Sequence, residues 1–200
     1  FALLPRWARR MYRLPGLPTT DLAATTTIRA VRAGLGPEID ILTDANTNYT
    51  VSDARKVMGC LDECNVGWLE EPFPPHERQS YRTAAKLGNV ALAAGENHFA
   101  RFEFQTLADD GDVTIWQPDL SKCGGLTEAM RIAAMASARG ITVNPHTSAT
   151  AINMAVTAHF LCAVDNPGYF EADVTAFNPF RDELNSTPPY VLDKDGCVLP

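Results

Sequence analysis

Apolar residues along this 200-residue chain fall into short runs that close on a polar residue, and between the runs apolar positions recur three and four apart. The runs are IDILTD at 39–44, VGWLE at 66–70, VALAAGE at 90–96, VTIWQPD at 113–119, ITVNPH at 141–146 and GYFEAD at 168–173. Each reads as a strand buried on both faces. The periodic stretches between them read as helices. The first, Thr20 to Leu35, has Asp21 as cap, Leu22, Ile28, Val31 and Leu35 on one face, and Gly34 and Gly36 at its end. The next, 53–64, follows Ser52 as N-cap and carries Ala54, Val57, Met58 and Leu61. Others cover 77–87, 101–110, 126–139 and 149–164. Pro72, Pro74 and Pro75 exclude a helix from EEPFPPHE because proline fixes φ and lacks a donor. The tail from Phe177 is rich in turn residues and predicts a short hairpin or an extended covering.

The polar residues that close the six runs are Asp44, Glu70, Glu96, Asp119, His146 and Glu171, at intervals of 26, 26, 23, 27 and 25 residues. A near-constant period of this length is one strand, one helix and two short loops, repeated. Alternating β and α units build either a doubly wound sheet, with its site at one switch point, or a barrel, which brings every strand end to one mouth. Polar groups at six consecutive strand ends favour the barrel. The expected fold class is α/β, a partial (β/α) barrel, with a basic segment at 1–20, the βα units at 21–176 and a tail at 177–200.

Composition narrows the choice of partner. With 46% hydrophobic residues the chain can bury a sizeable core. Its net charge of −7 argues against nucleic acid as a partner, and the lack of an 18-residue apolar run argues against a membrane span. The first twenty residues hold Arg6, Arg9, Arg10 and Arg13 and no acid, which leaves 13 basic against 24 acidic residues in the remainder. Five cysteines at irregular spacing, with no C-x-x-C pair, read as reduced thiols in a cytoplasmic protein. The expected partner is a small molecule.

Candidate chemistry begins with Asp44, Glu70 and Glu96. Three carboxylates emerging at the same end of neighbouring strands repel one another, and a hard divalent cation with oxygen ligands relieves that repulsion. A Mg²⁺ site on a barrel rim is therefore expected.

TDAN at 43–46, WLEEP at 68–72, GEN at 95–97, QPDLSKCGG at 117–125 and NPHTS at 144–148 together resemble the enolase superfamily. Within it they are most similar to the mandelate racemase subgroup with its acid-sugar dehydratases. The resemblance spans about Arg29 to Glu171 and implies a TIM-like barrel. It also implies Mg²⁺ on Asp44, Glu70 and Glu96, with Glu71 a neighbour rather than a ligand. Asp119 and His146 correspond to the family's dyad. His146 is then the acid or base, Asp119 orients it, and Lys122 pairs with Asp119 and tunes it. Glu171 corresponds to an acid near the substrate carboxylate, and Asn46, Asn97 and His98 are expected to contact substrate or its surroundings. The implied chemistry is abstraction of a proton α to a carboxylate, in which the metal stabilises the growing charge.

The chain departs from the family at one place. A Lys-x-Lys strand is expected ahead of the first ligand, but Arg13, Leu14 and Pro15 stand there and the first lysine is Lys56. The first barrel strand is therefore not expected, the family's N-terminal capping domain is missing, and the chain reads as truncated. The expected activity is sugar-acid dehydration, with racemisation or cycloisomerisation as alternatives. A metal-binding remnant without turnover is the reading from another class. Uncovered strand edges and apolar surface predict a homo-oligomer.

Overall fold

Four strands, each directly after the last in sequence order, lie side by side and parallel: β1 (Met11–Leu14), β2 (Asp40–Asp44), β3 (Val66–Glu70) and β4 (Ala91–Ala94). The computed structural model describes residues 11–14, 21–147, 150–173, 175–194 and 197–199. Arg6, Arg9, Arg10 and Pro15, and the side chains of Arg13, Asp21 and Leu22, lie outside that description. The chain forms two compact units, one of Arg9–Ala94 with Asp109–Ile115, the other including Gly95–Ala108 and Trp116–Pro200.

In the first unit the strands are linked by α1 (Asp21–Leu35), α2 (Val51–Glu63) and α3 (Arg78–Ala84). Parallel strands need such crossovers, and with helices over them they are apolar on both faces. Ile41, Leu42 and Leu69 are accordingly buried. α1 turns Ala24 and Ile28 inward, one helical turn apart, whereas Leu35 is exposed at its end. Arg32 fixes that end by donating to the carbonyls of Gly36, Ile39, Cys64 and Asn65 at 2.7 to 3.2 Å.

Two expectations change here. β1 exists, with Met11 to Leu14 in register with Asp40 to Thr43, because parallel pairing is a backbone property that does not need the lysines of the family pattern. The cap of α2 is Thr50 rather than Ser52. Thr50 Oγ1 accepts from the Asp53 N–H at 3.2 Å and Asp53 returns a bond to the Thr50 N–H at 3.0 Å. A capping box needs an acid three residues on, and Thr50 has one.

The second unit continues the alternation with α4 (Ala100–Asp110, whose last two residues belong to the first unit), β5 (Ile115–Trp116, entered from the first unit), α5 (Leu126–Ser137), β6 (Thr142–Val143) and α6 (Ala151–Ala163). The Asn144 N–H donates to Trp116 O at 2.8 Å, which lays β6 beside β5. Phe104, Trp116 and Phe160 form its core. Thr150 caps α6.

GYFEAD differs from expectation. It forms no strand, and the one isolated bridge beside it, Val143 to Pro167, involves the residue just before it. The Asn144 side chain takes the Tyr169 N–H at 2.7 Å, and Gly168 leaves no room for a Cβ against that amide. A side chain thus replaces the next rung of the ladder. The tail forms the expected hairpin, β7 (Val191–Leu192) antiparallel to β8 (Val198–Leu199), after a short helix α7 (Pro179–Asp182). The fold class is α/β, a partial TIM-like (β/α) barrel.

Candidate active site

Within the first unit, β2 and β3 end level with each other. Asp44 is the register partner of Glu70, so two carboxylates stand on adjacent strands about 4.8 Å apart in backbone spacing. Both are buried. Glu70 accepts from Trp68 Nε1 at 3.1 Å and Asp44 from the Asn46 N–H at 2.7 Å. The following loops are laced together: Ala45, Thr47 and Tyr49 donate their N–H groups to the carbonyls of Glu70, Glu71 and Pro72 at 3.0, 2.7 and 2.9 Å. This lacing holds Asn46, Thr47 and Glu71 at φ of 47°, 61° and 35°, a region that is costly for a β-branched residue such as threonine. Burial first, and then the charges of Glu71, Asp44 and Glu70, push the Tyr81 hydroxyl above its usual range. Tyr81 donates to Phe73 O at 2.7 Å.

Within the second unit, Glu96, Asp119, Lys122 and His146 converge. His146 Nδ1 lies 2.8 Å from Asp119 Oδ2 and Nε2 lies 3.1 Å from Glu96 Oε2. The ring thus stands between two acids, with Nδ1 to Asp119 and Nε2 to Glu96. Burial acts to raise the Asp119 pKa. The bond to His146, the Ser121 N–H at 2.6 Å, and the charges of His146 and Lys122 outweigh it, and the carboxyl is held below its usual value. Asn153 Nδ2, from the first turn of α6, completes the cradle at 3.3 Å from Asp119 Oδ1.

Lys122 makes its ion pair with Glu96, at 3.5 Å from Oε1, rather than with Asp119, which its charge reaches from farther off. The Lys122 N–H is used in the turn, donating to Asp119 O, and this directs the side chain onward to the neighbouring acid. Asn97 Nδ2 also approaches Glu96 Oε1, at 3.4 Å. Glu171 accepts from the Thr147 N–H at 2.8 Å, while the Thr147 hydroxyl donates to the Glu171 carbonyl. His98 is packed against Phe104 with ring centroids 5.9 Å apart, and burial lowers its pKa. Asn46 is exposed.

Asn153 and Thr147 are the polar neighbours that sequence reasoning missed. Asn153 lies in a helix that reads as uniformly apolar, and the signal was a buried amide and hydroxyl, Asn153 and Thr157, one turn apart.

Within the first unit, the donor chemistry of Asp44 and Glu70 fits a hard cation, because they offer anionic oxygens side by side. Among the described residues, no three His, Cys, Asp or Glu side chains are gathered as a ready metal-holding group. Glu96 here gives one oxygen to Lys122 and the other to His146.

Residues 17–200 match the family described as enolase C-terminal domain-like. A D-galactarolactone cycloisomerase of Agrobacterium fabrum is 32% identical over 169 residues, covering 80% of this chain and 44% of that protein. The crystal structure of an enolase superfamily member from Polaromonas sp. JS666 is 53% identical with a TM-score of 0.89, over 96% of this chain and 50% of that one. That of a 3,6-anhydro-D-galactonate cycloisomerase from Zobellia galactanivorans is 28% identical with a TM-score of 0.81, over 87% and 49%. The chain thus spans about half the length of these relatives.

Proposed function

Because this chain belongs to the enolase C-terminal domain-like family, we propose that it serves in Mg²⁺-dependent removal of a proton α to the carboxylate of a small acid sugar, with dehydration as the outcome. The observation that carries this reading is the imidazole of His146, held on Asp119 at 2.8 Å through Nδ1. An imidazole oriented through one nitrogen offers the other to a substrate proton, and an anionic partner stabilises the imidazolium formed. In this reading Asp44, Glu70 and Glu96 hold Mg²⁺, which when bound supplies positive charge to a carboxylate whose own negative charge grows as the proton leaves. Lys122 and Asn97 steady Glu96. Asn46, His98 and Glu171 border the substrate, and the same His146 returns its proton to a departing β-hydroxyl.

Cycloisomerisation is the second reading, and two relatives named as cycloisomerases of galactose-derived acids favour it. Both outcomes share the first step, so the test reads that step. Acid sugars and their lactones are incubated with the chain and Mg²⁺ in D₂O and followed by NMR. Exchange of the α-proton that is lost in His146→Asn is expected. Loss of water then identifies a dehydratase, and ring rearrangement without it a cycloisomerase. No exchange with any substrate would refute the reading in favour of a metal-binding protein without turnover.

A further inference from the structure

The turn that carries Glu96 and the turn that carries Asp119 and Lys122 are joined through the backbone as well as by the Lys122–Glu96 pair. The Ala100 N–H donates to Cys123 O at 3.1 Å, and the Cys123 N–H returns to Asp119 O at 2.8 Å. Ala100 has φ of 52°, a conformation that a non-glycine residue holds only where its surroundings impose it.

Glu128 imposes it. This residue is on the first turn of α5 yet is buried, and its carboxylate is directed at the start of α4. Oε1 accepts the Arg101 N–H at 2.9 Å and Arg101 Nη1 at 2.9 Å, and Oε2 accepts Nη1 at 2.8 Å and Arg131 Nη1 at 2.9 Å. Its stem occupies the space beside Gly124 of the other turn, where an added Cβ would stand only 3.2 Å from Glu128 Cβ. Gly124 is at φ of 112°. The Arg101 N–H bond, and then Arg131, hold the Glu128 carboxyl below its usual range. One side chain therefore bonds the start of α4 through its carboxylate and lies beside Gly124 with its methylenes.

We infer that Glu128 is a positioning residue for the proposed site, which sets the offset of Glu96 from Asp119 and Lys122 by clamping their two turns to each other. It touches none of the reacting groups and acts through Arg101 and Gly124. The inference rests on the metal reading above. If Glu96 ligates Mg²⁺, loosening its turn weakens the ion's hold without removing a ligand, as loss of a supporting contact does in metal sites, by roughly tenfold to a hundredfold.

Mg²⁺ titration calorimetry on the full chain tests this, with circular dichroism to confirm folding. Wild type should bind, Glu96→Gln should lose binding, and Glu128→Ala should bind at least about tenfold more weakly. Glu128→Gln should approach wild type, because an amide oxygen still accepts the Arg101 N–H. Rescue by Gln separates clamping from a mere effect of charge. If Glu128→Ala does not fold, Glu128→Asp, one methylene short of Arg101, should report the same weakening. Wild-type affinity in a folded Glu128→Ala or Glu128→Asp would overturn the inference and leave the metal reading standing. Equal behaviour of wild type and Glu96→Gln would overturn the metal reading and this inference with it.

Discussion

Asp119 takes bonds from a ring, a backbone amide and a side-chain amide, and these differ in what each can lose. Removal of His146 abolishes the proposed chemistry. Removal of Asn153 leaves the dyad but strips one donor from a buried carboxylate. Asn153→Ala should therefore lower stability by about 1–3 kcal/mol, the cost of an under-bonded buried charge, as read by urea denaturation. A loss well under that range would mean that the 3.3 Å contact carries little. At this scale the carboxylates and the histidine were legible in the sequence, because each closes an apolar run. Their partners were not. Asn153 is 34 residues from Asp119 and Lys122 only three, yet Asn153 bonds Asp119 while Lys122 turns to Glu96. Spacing along a chain says which residues share an element, and says little about where a long flexible side chain ends.

Among the elements, strands and helices followed the sequence closely, because burial on both faces and 3.6-residue periodicity are local signals. The misses lie where one backbone bond is exchanged for another. The GYFEAD segment loses a rung to the Asn144 side chain, and β1 forms on backbone pairing alone. Two predictions belong here. Thr50→Ala removes the capping box of α2 and should cost about 1 kcal/mol in thermal or chemical unfolding, whereas Ser52→Ala should cost much less. Arg78 and Arg82 of α3 hold Asp110 at 2.6 and 2.9 Å. The bond from Arg78, outweighing the smaller opposing effect of burial, keeps the Asp110 carboxyl below its usual value. A carboxyl with a depressed folded pKa adds stability that is complete above the unfolded pKa and is lost as pH falls through the folded one. Asp110→Asn should therefore flatten the fall in melting temperature below about pH 4, and an unchanged acid limb would contradict the pairing.

For the whole molecule, the fold class and the family were legible because six strand ends recur at one period. The expected homo-oligomer depends on which apolar side chains stay outside, and hydrophobic pattern alone does not tell a helix's inner face from a face awaiting a partner. Phe99, Phe102, Phe177, Phe180 and Leu184 are 54 to 77% exposed, and large apolar side chains that gather into a patch favour a partner. Light scattering should accordingly report a mass above the 21.8 kDa of one chain, and a clean monomer at micromolar concentration would refute self-association. Among the described residues no helix is long and apolar enough to cross a membrane. Arg32 has a consequence in time as well as in space. Two of its four carbonyl partners, Gly36 and Ile39, are close by in the chain, whereas Cys64 and Asn65 are 32 and 33 residues away, between α2 and β3. Contacts that close a long loop tend to form after the folding transition state, so Arg32→Ala should hasten unfolding more than it slows refolding in a chevron measurement.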